Sequence, residues 1–388
     1  MRDEFEKSNV VRYTQELVSI ESITPNDNGC QNFLIDKLSK LGFKCHSFID
    51  NDVHNLMATY QSDLPGLSVA FCGHTDVVPI GDSSLWLVPP FSAEIINGEL
   101  YGRGAADMKG GIAAMLSALE RYVNGGHPIT GTFYFLITSD EEGEAEHGSK
   151  TIVNLLNESN LKLDFCIIGE PTSDAFSGDT IKIGRRGALS CSVDVYGKAG
   201  HVAYPQYASN AVTTAVSVSN KLLNIKWDSG SDDLPGTNLE ISGIKSNSFT
   251  DNIIPSHCHM NFNIRYSDAH TNETLRNLIH DELFEYGNKV ELSWQRPCEP
   301  YLTNSPIEKD DCLLNCAIRA VHKVTLNYPK LSTSGGCSDG RFFKEEHNEV
   351  LEIGLPNKTI HQVNEKVSVN ELIKLENIYF QLLYEIYS

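Results

Sequence analysis

Four short apolar runs are followed by acidic or histidine residues, and this pattern limits the fold more than any other feature of the chain. Each run has the length and composition of a buried parallel strand. The runs are 67–72, 132–138, 163–168 and 350–353. Open α/β sheets bind ligands at the carboxyl ends of their strands. We therefore expect the polar groups that follow these runs to converge at one edge of a sheet.

The polar groups that follow these runs are of the types that bind metal ions. A fifth group, Asp107, lies in a glycine-rich turn before an apolar helix at 112–122. Each segment alone would suit a solvated turn or a structural histidine, but together they predict a metal site. The nitrogen and oxygen donors suit zinc, with cobalt or manganese as substitutes. The predicted ligands are His74, Asp107, Glu142, Glu170 and His361.

Two further carboxylates are predicted to serve the metal site without binding the metal. Asp76 can accept a hydrogen bond from the ring nitrogen of His74 that does not bind metal, which would orient the ring. Glu141 precedes Glu142, and neighbouring side chains of an extended segment point in opposite directions. Glu142 can therefore face the metal while Glu141 reaches a water molecule. A carboxylate that bridges two ions would give a two-metal site.

Composition narrows the function classes. The 388 residues include 51 acidic and 31 basic side chains, for a formal charge of -20. This charge disfavours nucleic acid and anionic membranes as partners. No apolar run reaches the ~18 residues of a membrane span, and the first residues do not resemble a signal peptide. The ten cysteines are scattered without CxxC pairs, and several lie inside apolar runs as small hydrophobic residues, so we expect a reducing, cytoplasmic location. His257 and His259 flank Cys258 in a predicted strand, where core packing is the simpler explanation.

The order of elements predicts two domains, one inserted in the other. Residues 1–186 and 299–388 alternate helical and strand patterns, as in a doubly wound α/β catalytic domain. Between them, residues 187–298 follow the order β-α-β-β-α-β of a ferredoxin-like α+β module. We expect this insert to form the dimer contacts. Near the end of the chain, Ser368 to Glu371 has the pattern of a capping box that opens a final helix.

The motifs resemble those of the di-zinc metallopeptidase family of carboxypeptidases, aminoacylases and deacylases. The resemblance runs from about residue 10 to the C-terminus. It rests on CGHTDVVP (72–79), LYGRGAADMKGG (100–111), SDEEG (139–143), GEPT (169–172), GRRG (184–187), GHVAYP (200–205), SGGCSDGRF (334–342) and HQVNE (361–365).

The resemblance implies a role for each predicted ligand. His74 and Glu170 would hold one zinc ion, Glu142 and His361 the other, and Asp107 would bridge them. Each subunit would bind two zinc ions, with cobalt possible at one site. A water between the metals would attack the substrate, with Glu141 as general base and acid.

The resemblance also implies a homodimer and a set of substrate contacts. His201 would come from the insert of the partner subunit and polarise the scissile carbonyl. The implied substrate-binding residues are Arg185, Tyr204, Asn252, Arg265, Ser334, Gly335 and Gly336. This chain departs from the family pattern at Cys337, where threonine is common, and at Asp251, where asparagine is usual. Both departures concern substrate contacts and leave the metal chemistry intact.

The activity implied is hydrolysis of a linear amide. The GRRG and SGGCSDGRF motifs favour removal of succinate from N-succinyl-LL-2,6-diaminopimelate, in lysine and diaminopimelate synthesis. Another deacylase of the family, such as an acetylornithine deacetylase or an aminoacylase, is the nearest alternative. A non-catalytic dimeric binding protein is a third possibility, which the presence of Glu141 disfavours. The chain has no G-x-S-x-G motif of a serine hydrolase and no Walker A motif.

Overall fold

The computed structural model describes residues 8–246 and 250–388, and contacts divide the chain into two compact units. The first unit contains the residues up to Gly184, Leu302–Ser332 and Ser338–Ser388. The second contains Arg185–Tyr301 together with Thr333–Cys337. The domain limits inferred from sequence, 1–186 with 299–388 and 187–298, assign the segment Thr333–Cys337 to the catalytic part. We keep those limits as a proposal.

The helices and strands follow in chain order. The helices are α1 (Asn9–Val18), α2 (Cys30–Lys40), α3 (Gly110–Asn124), α4 (Ser149–Glu158), α5 (Ala211–Leu223), α6 (Asn272–Leu283), α7 (Leu313–Thr325), α8 (Gly340–Phe343) and α9 (Val369–Tyr387). The strands are β1 (Lys44–Asp50), β2 (Val53–Gln61), β3 (Ser68–His74), β4 (Ile95–Ile96), β5 (Glu99–Tyr101), β6 (Thr132–Thr138), β7 (Phe165–Ile168), β8 (Thr180–Lys182), β9 (Gly184–Arg185), β10 (Gly187–Tyr196), β11 (Gly200–His201), β12 (Asn238–Ser246), β13 (Ile253–Ile254), β14 (His257–Tyr266), β15 (Val290–Trp294), β16 (Tyr301–Leu302), β17 (Lys330–Ser332), β18 (Glu349–Glu352) and β19 (Lys366–Ser368).

The first unit is built on an eight-stranded mixed sheet in the order β1-β2-β6-β3-β7-β18-β8-β17. Strand β3 is parallel to β6 and β7, and β7 is parallel to β18. Every residue of β6 and of β7 is buried, as expected for the centre of a covered parallel sheet. The four apolar runs read from the sequence are these central strands, and the predicted α/β class is confirmed.

Helices pack beside this sheet in two groups. Helix α9 contacts α1, α3 and α7, and α1 also contacts α3; apolar side chains of these helices join those of the strands in one core. Helices α2 and α4 contact strands β1, β2 and β6. Because β6, β3 and β7 are parallel neighbours in the sheet, the loops that follow them leave the sheet side by side.

The second unit is a four-stranded antiparallel sheet in the order β12-β14-β10-β15, with helices α5 and α6. This order confirms the ferredoxin-like prediction. Buried and half-buried residues alternate along β14, and Cys258 is fully buried. His257 and His259 lie on the other face, where both rings contact Asp194 Oδ1, at 2.8 and 2.9 Å. This arrangement supports a packing role for Cys258.

The predicted capping box at the start of α9 is wrong. Ser368 is the residue before the helix, but its side chain accepts no capping hydrogen bond. Glu371 is engaged elsewhere: it accepts the backbone N–H of Ser177 at 2.5 Å and pairs with Lys374 at 2.6 Å. Contacts distant in sequence therefore override the local pattern. Among the described residues, none of the helices combines the length and apolar character that crossing a membrane would require.

We predict that Gly111→Ala destabilises the first unit. A Cβ at residue 111 would lie 2.6 Å from the carbonyl oxygen of Gly169, a backbone atom next to Glu170. Forced overpacking of this kind costs about 1–3 kcal/mol, so the midpoint of urea unfolding should fall. Gly336→Ala is the control, because a Cβ at residue 336 meets no atom within 4 Å. Equal unfolding midpoints for the two variants would contradict the prediction.

Candidate metal centre

The structure brings the five predicted ligands of the first unit to one edge of the sheet. His74 is the last residue of β3, Glu142 follows β6, and Glu170 follows β7. Asp107 lies in the turn before α3. His361 lies in the segment between β18 and β19, where its backbone has a left-handed φ of 60°. Five separate segments, the end of β3 and four loops, thus bring two imidazoles and three carboxylates to one place.

Asp107 lies between the two histidines. Its Oδ1 is 3.4 Å from Nε2 of His74, and its Oδ2 is 3.3 Å from Nε2 of His361. One carboxylate therefore faces two imidazoles, one with each oxygen. Glu170 Oε1 lies 3.5 Å from the same nitrogen of His74, and Glu142 Oε1 lies 2.9 Å from that of His361. The donors form two groups that share Asp107.

Asp76 contacts both sides of this centre. The backbone carbonyl of Asp76 lies 2.9 Å from Nδ1 of His74, and its carboxylate oxygen Oδ1 lies 3.5 Å from that atom. The carboxylate also accepts the backbone N–H groups of Glu141 at 3.3 Å and Glu142 at 3.1 Å. The sequence suggested that the Asp76 side chain orients the His74 ring. In the structure the backbone is the closer acceptor, and the side chain holds the loop of the two glutamates.

Glu141 and Glu142 both reach the cluster. A carboxylate oxygen of Glu142 lies within 4.8 Å of donor atoms of His74 and Asp107. Glu141 likewise groups with donor atoms of His74 and Glu170 within 4.8 Å. Both residues are half-buried. The pair therefore places one carboxylate on the His361 side of the centre and the other on the Glu170 side.

The pKa values of these groups reflect crowding of acidic side chains in a buried place. Burial, and then the charge of Glu170, raises the pKa of Glu141 well above its usual value. Burial raises the pKa of Glu170 to about 7, against the opposing effect of His74. Hydrogen bonding to Asp107 and then to Glu142 raises the pKa of His361 to about 10. The two glutamates retain protons because burial and neighbouring negative charges disfavour their ionised forms, whereas the carboxylates beside His361 stabilise its protonated ring.

Two potential metal-ligand atoms at the centre of the cluster have no hydrogen-bond partner. Nε2 of His74 and Oδ1 of Asp107 are buried and unpaired, although they lie 3.4 Å apart. Buried polar atoms are rarely left unsatisfied. A cation held between an imidazole nitrogen and a carboxylate oxygen would satisfy both. The donor set therefore fits a metal ion at this position.

Two functional residues of the cluster had no role in the sequence analysis. Glu365 is fully buried, and its Oε1 accepts the backbone N–H groups of Ala106 at 3.0 Å and Asp107 at 3.2 Å. Its Oε2 accepts a hydrogen bond from Nη1 of Arg103 at 2.8 Å. The sequence offers one signal for this pair. Arg103 lies four residues before Asp107, Glu365 lies four residues after His361, and both belong to the motifs quoted above.

The predicted substrate-binding residues Arg185, Arg265, Ser334, Gly335 and Gly336 all lie in the second unit. Nη1 of Arg185 donates to the carbonyl of Ser334 at 3.0 Å. Gly335 has a left-handed φ of 112°, and a Cβ there would lie 2.1 Å from Nη1 of Arg185. The loop thus requires glycine in order to pack against this arginine. Arg265 Nη1 lies 3.5 Å from the Cys337 thiol.

The remaining predicted residues, His201, Tyr204 and Asn252, are exposed in the second unit. The carbonyl of Asn252 accepts the N–H of Val202 at 3.1 Å, which ties the loops of β11 and β13 together. Nδ1 of His201 accepts the N–H of Ala203 at 3.1 Å. A neutral ring that accepts at Nδ1 carries its proton on Nε2. Nε2 of His201 would therefore be an N–H donor.

Comparison with known proteins identifies the class. The pattern of peptidase family M20/M25/M40 matches residues 70–385. The chain belongs to this family, and the resemblance drawn from its motifs is confirmed.

Curated relatives match almost the whole chain. A protein of Alteromonas mediterranea named succinyl-diaminopimelate desuccinylase 1 is 46% identical over 373 residues, which cover 96% of this chain and 95% of the relative. Succinyl-diaminopimelate desuccinylase 2 of Shewanella loihica is 45% identical, with coverage of 96% and 99%.

Solved structures share the fold at lower identity. The M20 family metallo-carboxypeptidase of Sulfolobus solfataricus has a TM-score of 0.81 and 17% identity, with 97% of this chain and 99% of that chain covered. A Bacillus subtilis protein described as a dinuclear metal-binding peptidase of the M20 family has a TM-score of 0.68 and 12% identity, with 99% of each chain covered.

We predict that the protein binds two equivalents of Zn²⁺ and that His361→Ala retains only one of them tightly. His361 contacts Asp107 and Glu142 but is absent from the group formed by His74, Glu141 and Glu170. His347→Ala is the control, because His347 is not one of the predicted ligands. It lies before β18, and its Nε2 is 3.3 Å from a carboxylate oxygen of Glu345. Zinc per protein, measured by elemental analysis after dialysis, tests this. Two retained ions in His361→Ala would refute it.

Proposed function

We propose that the chain is a zinc-dependent amide hydrolase that removes succinate from N-succinyl-LL-2,6-diaminopimelate, in the synthesis of diaminopimelate and lysine. The observation that carries this proposal is the placement of Asp107 between His74 and His361, with Glu141 beside the cluster. The names of relatives that are 45–46% identical supply the substrate. The products would be succinate and LL-2,6-diaminopimelate.

The first group of ligands, His74 and Glu170, would hold one zinc ion, and the second, His361 and Glu142, the other. Asp107 would be shared between them, because its two oxygens face the two histidines. Zinc accepts imidazole and carboxylate donors, and cobalt could replace it at one position. When bound, the ions would polarise the amide carbonyl and lower the pKa of a water molecule between them.

Glu141 has the properties of the general base and acid. Amide hydrolysis requires a proton to leave the attacking water and a proton to reach the departing nitrogen. Burial, and then the charge of Glu170, raises the pKa of Glu141, so this carboxyl group holds a proton more readily than an ordinary glutamate and can pass it on. Asp76 supports this role, since it accepts the N–H of Glu141 and restrains its loop. A purely binding protein would not require such a group.

Substrate recognition is assigned to the second unit. The substrate carries several carboxylates, and guanidinium groups bind carboxylates through a planar pair of N–H donors. Arg185 is held against Ser334 and Gly335, while Arg265 lies beside Cys337. Burial, and then the charge of Arg265, lowers the pKa of Arg186. The effect of Arg265 shows that positive charges lie close together in this part of the second unit, although the chain has a net charge of -20. Tyr204 and Asn252 would contribute further contacts.

We also propose a homodimer formed through the second unit. Strand β12 pairs only with β14 among the described strands, so its outer edge can pair with another strand. Exposed apolar side chains lie on this strand and on α5, including Ile244 (54% exposed) and Val216 (60% exposed). The most frequent symmetry for such an assembly is two-fold. His201 would then polarise the substrate carbonyl in the active site of the partner subunit.

A reducing, cytoplasmic location is proposed for the enzyme. None of the ten cysteines, all of which lie in the described residues, forms a disulfide. The thiol sulfurs of Cys72 and Cys166 lie 3.3 Å apart in the core without a disulfide. Unpaired cysteines in such proximity are typical of proteins that function in a reducing compartment.

The substrate proposal is tested by comparing N-succinyl-LL-2,6-diaminopimelate with N-acetylornithine as substrates of the zinc-loaded protein. We expect kcat/KM to be higher for the succinyl compound, because its acyl group ends in a carboxylate that an arginine can bind. Chelation should abolish the activity, and added Zn²⁺ or Co²⁺ should restore it. A preference for the acetyl compound would favour an acetylornithine deacetylase or an aminoacylase instead.

The roles of the adjacent glutamates are tested by the matched variants Glu141→Gln and Glu142→Gln. Glu141→Gln should bind two Zn²⁺ ions and substrate but turn over at least about a hundredfold more slowly, because it loses the proton acceptor. Glu142→Gln should bind Zn²⁺ more weakly, because it loses a ligand charge. The reverse pattern of zinc loss would show that the two roles are exchanged, and normal turnover in both would refute the site.

The role of His201 is tested by mixing two inactive homodimers, Glu141→Gln and His201→Ala, under conditions that allow subunits to exchange. If His201 acts on the partner subunit, a mixed dimer contains one site with both wild-type residues, and activity should reappear. If His201 acts within its own chain, no site becomes complete and the mixture should remain inactive. Light scattering that shows an active monomer would also refute the proposal.

A further inference from the structure

We propose that Glu365, together with Arg103, is a positioning residue that holds the bridging carboxylate of Asp107 and the His361 loop in the geometry required to bind two metal ions. This inference rests on the proposed function, and it concerns a residue pair that makes no direct contact with the ligand side chains. Glu365 is 0% exposed and Arg103 is 2% exposed. Two opposite charges are therefore fully removed from water beside the metal centre.

The contacts of Glu365 converge on the backbone of Asp107. Oε1 accepts the N–H of Ala106 at 3.0 Å and the N–H of Asp107 at 3.2 Å. The carbonyl of Glu365 in turn accepts the N–H of Gly102 at 2.9 Å. The turn that carries the shared ligand is thus bound at both its beginning and its end to one residue.

Arg103 extends the connection to two other segments. Its Nη1 donates to Oε2 of Glu365 at 2.8 Å and to the carbonyl of Gln362 at 3.1 Å. Its Nη2 donates to the carbonyl of Pro79 at 3.2 Å. Gln362 is next to His361, and Pro79 follows the segment of His74 and Asp76. The pair therefore links the three segments that supply both histidines and the bridging carboxylate.

Only a carboxylate can make these contacts. One oxygen of Glu365 faces backbone N–H donors, while the other faces a guanidinium N–H donor. Glutamine has one acceptor oxygen and one NH₂ donor group. In either orientation of its amide, glutamine would direct a donor at another donor. Glu365→Gln therefore disrupts one set of contacts while it preserves the size of the side chain.

The test is titration of the metal-free protein with Zn²⁺ against a competing chromophoric chelator. Groups that orient metal ligands typically change metal affinity about 10–100-fold when they are altered, and we expect Glu365→Gln to lose affinity within this range. The matched control is Glu376→Gln. Glu376 is also a buried glutamate, which accepts a hydrogen bond from Ser117 at 2.9 Å and lies 3.6 Å from Arg121, but it does not contact the ligand loops. It should bind Zn²⁺ as the wild type does.

Arg103→Lys provides a second variant if Glu365→Gln fails to fold. Lysine keeps the positive charge but lacks the planar group that reaches Glu365, Gln362 and Pro79 together, so Zn²⁺ affinity should again fall. Wild-type affinity in a folded Glu365→Gln or Arg103→Lys protein would overturn the inference, as would an equal loss in Glu376→Gln. Because no substrate is present, a wild-type protein that binds two Zn²⁺ ions but does not cleave the succinyl compound would refute only the proposed function.

Discussion

The rest of the site depends on the close approach of carboxylates around two imidazoles at the carboxyl edge of the parallel strands. Asp107, Glu142 and Glu170 lie within 2.9–3.5 Å of histidine nitrogens. Burial, and after it the negative charge of Asp107, raises the pKa of Glu170 to about 7, which shows that these carboxylates are costly to ionise together. Divalent cations would neutralise this charge and replace the protons. The cluster therefore favours the binding of a cation, at the expense of the stability of the metal-free protein.

The carboxylates outside the ligand set determine where the ligands lie. Asp76 accepts the N–H groups of the two glutamates, and Glu365 accepts those of the turn that carries Asp107. In both cases a buried carboxylate organises the backbone of a loop. The parallel strands bring the loops to one edge of the sheet. Hydrogen bonds from the loop backbones to Asp76 and Glu365 then fix the positions of the ligand residues at that edge.

Much of the first unit was predictable, because its signals are local. Central parallel strands are buried on both faces, so their apolar runs stand out; the predicted run 132–138 is the strand β6 that the structure contains. Ligand-type residues after such strands could be grouped because parallel strands share an edge. In the second unit, the alternating pattern of β14, 257–266, was equally clear.

The features that were not predicted depend on contacts between residues far apart in sequence. Arg103 and Glu365 pair across 262 positions, and neither residue alone reveals its partner. Ser334 accepts a hydrogen bond from Arg185, and the Cys337 thiol lies beside Arg265, but no local pattern in the sequence shows these contacts. Ser368 has the sequence of a capping residue, yet Glu371 is engaged by Ser177.

The most direct measurement is X-ray diffraction from zinc-loaded crystals at the zinc absorption edge. The anomalous signal locates zinc atoms without assumptions about the ligands. The account predicts two peaks about 3.5–4 Å apart, one beside His74 and Glu170 and the other beside His361 and Glu142, with Asp107 between them. A single peak, or two peaks not bridged by Asp107, would contradict it.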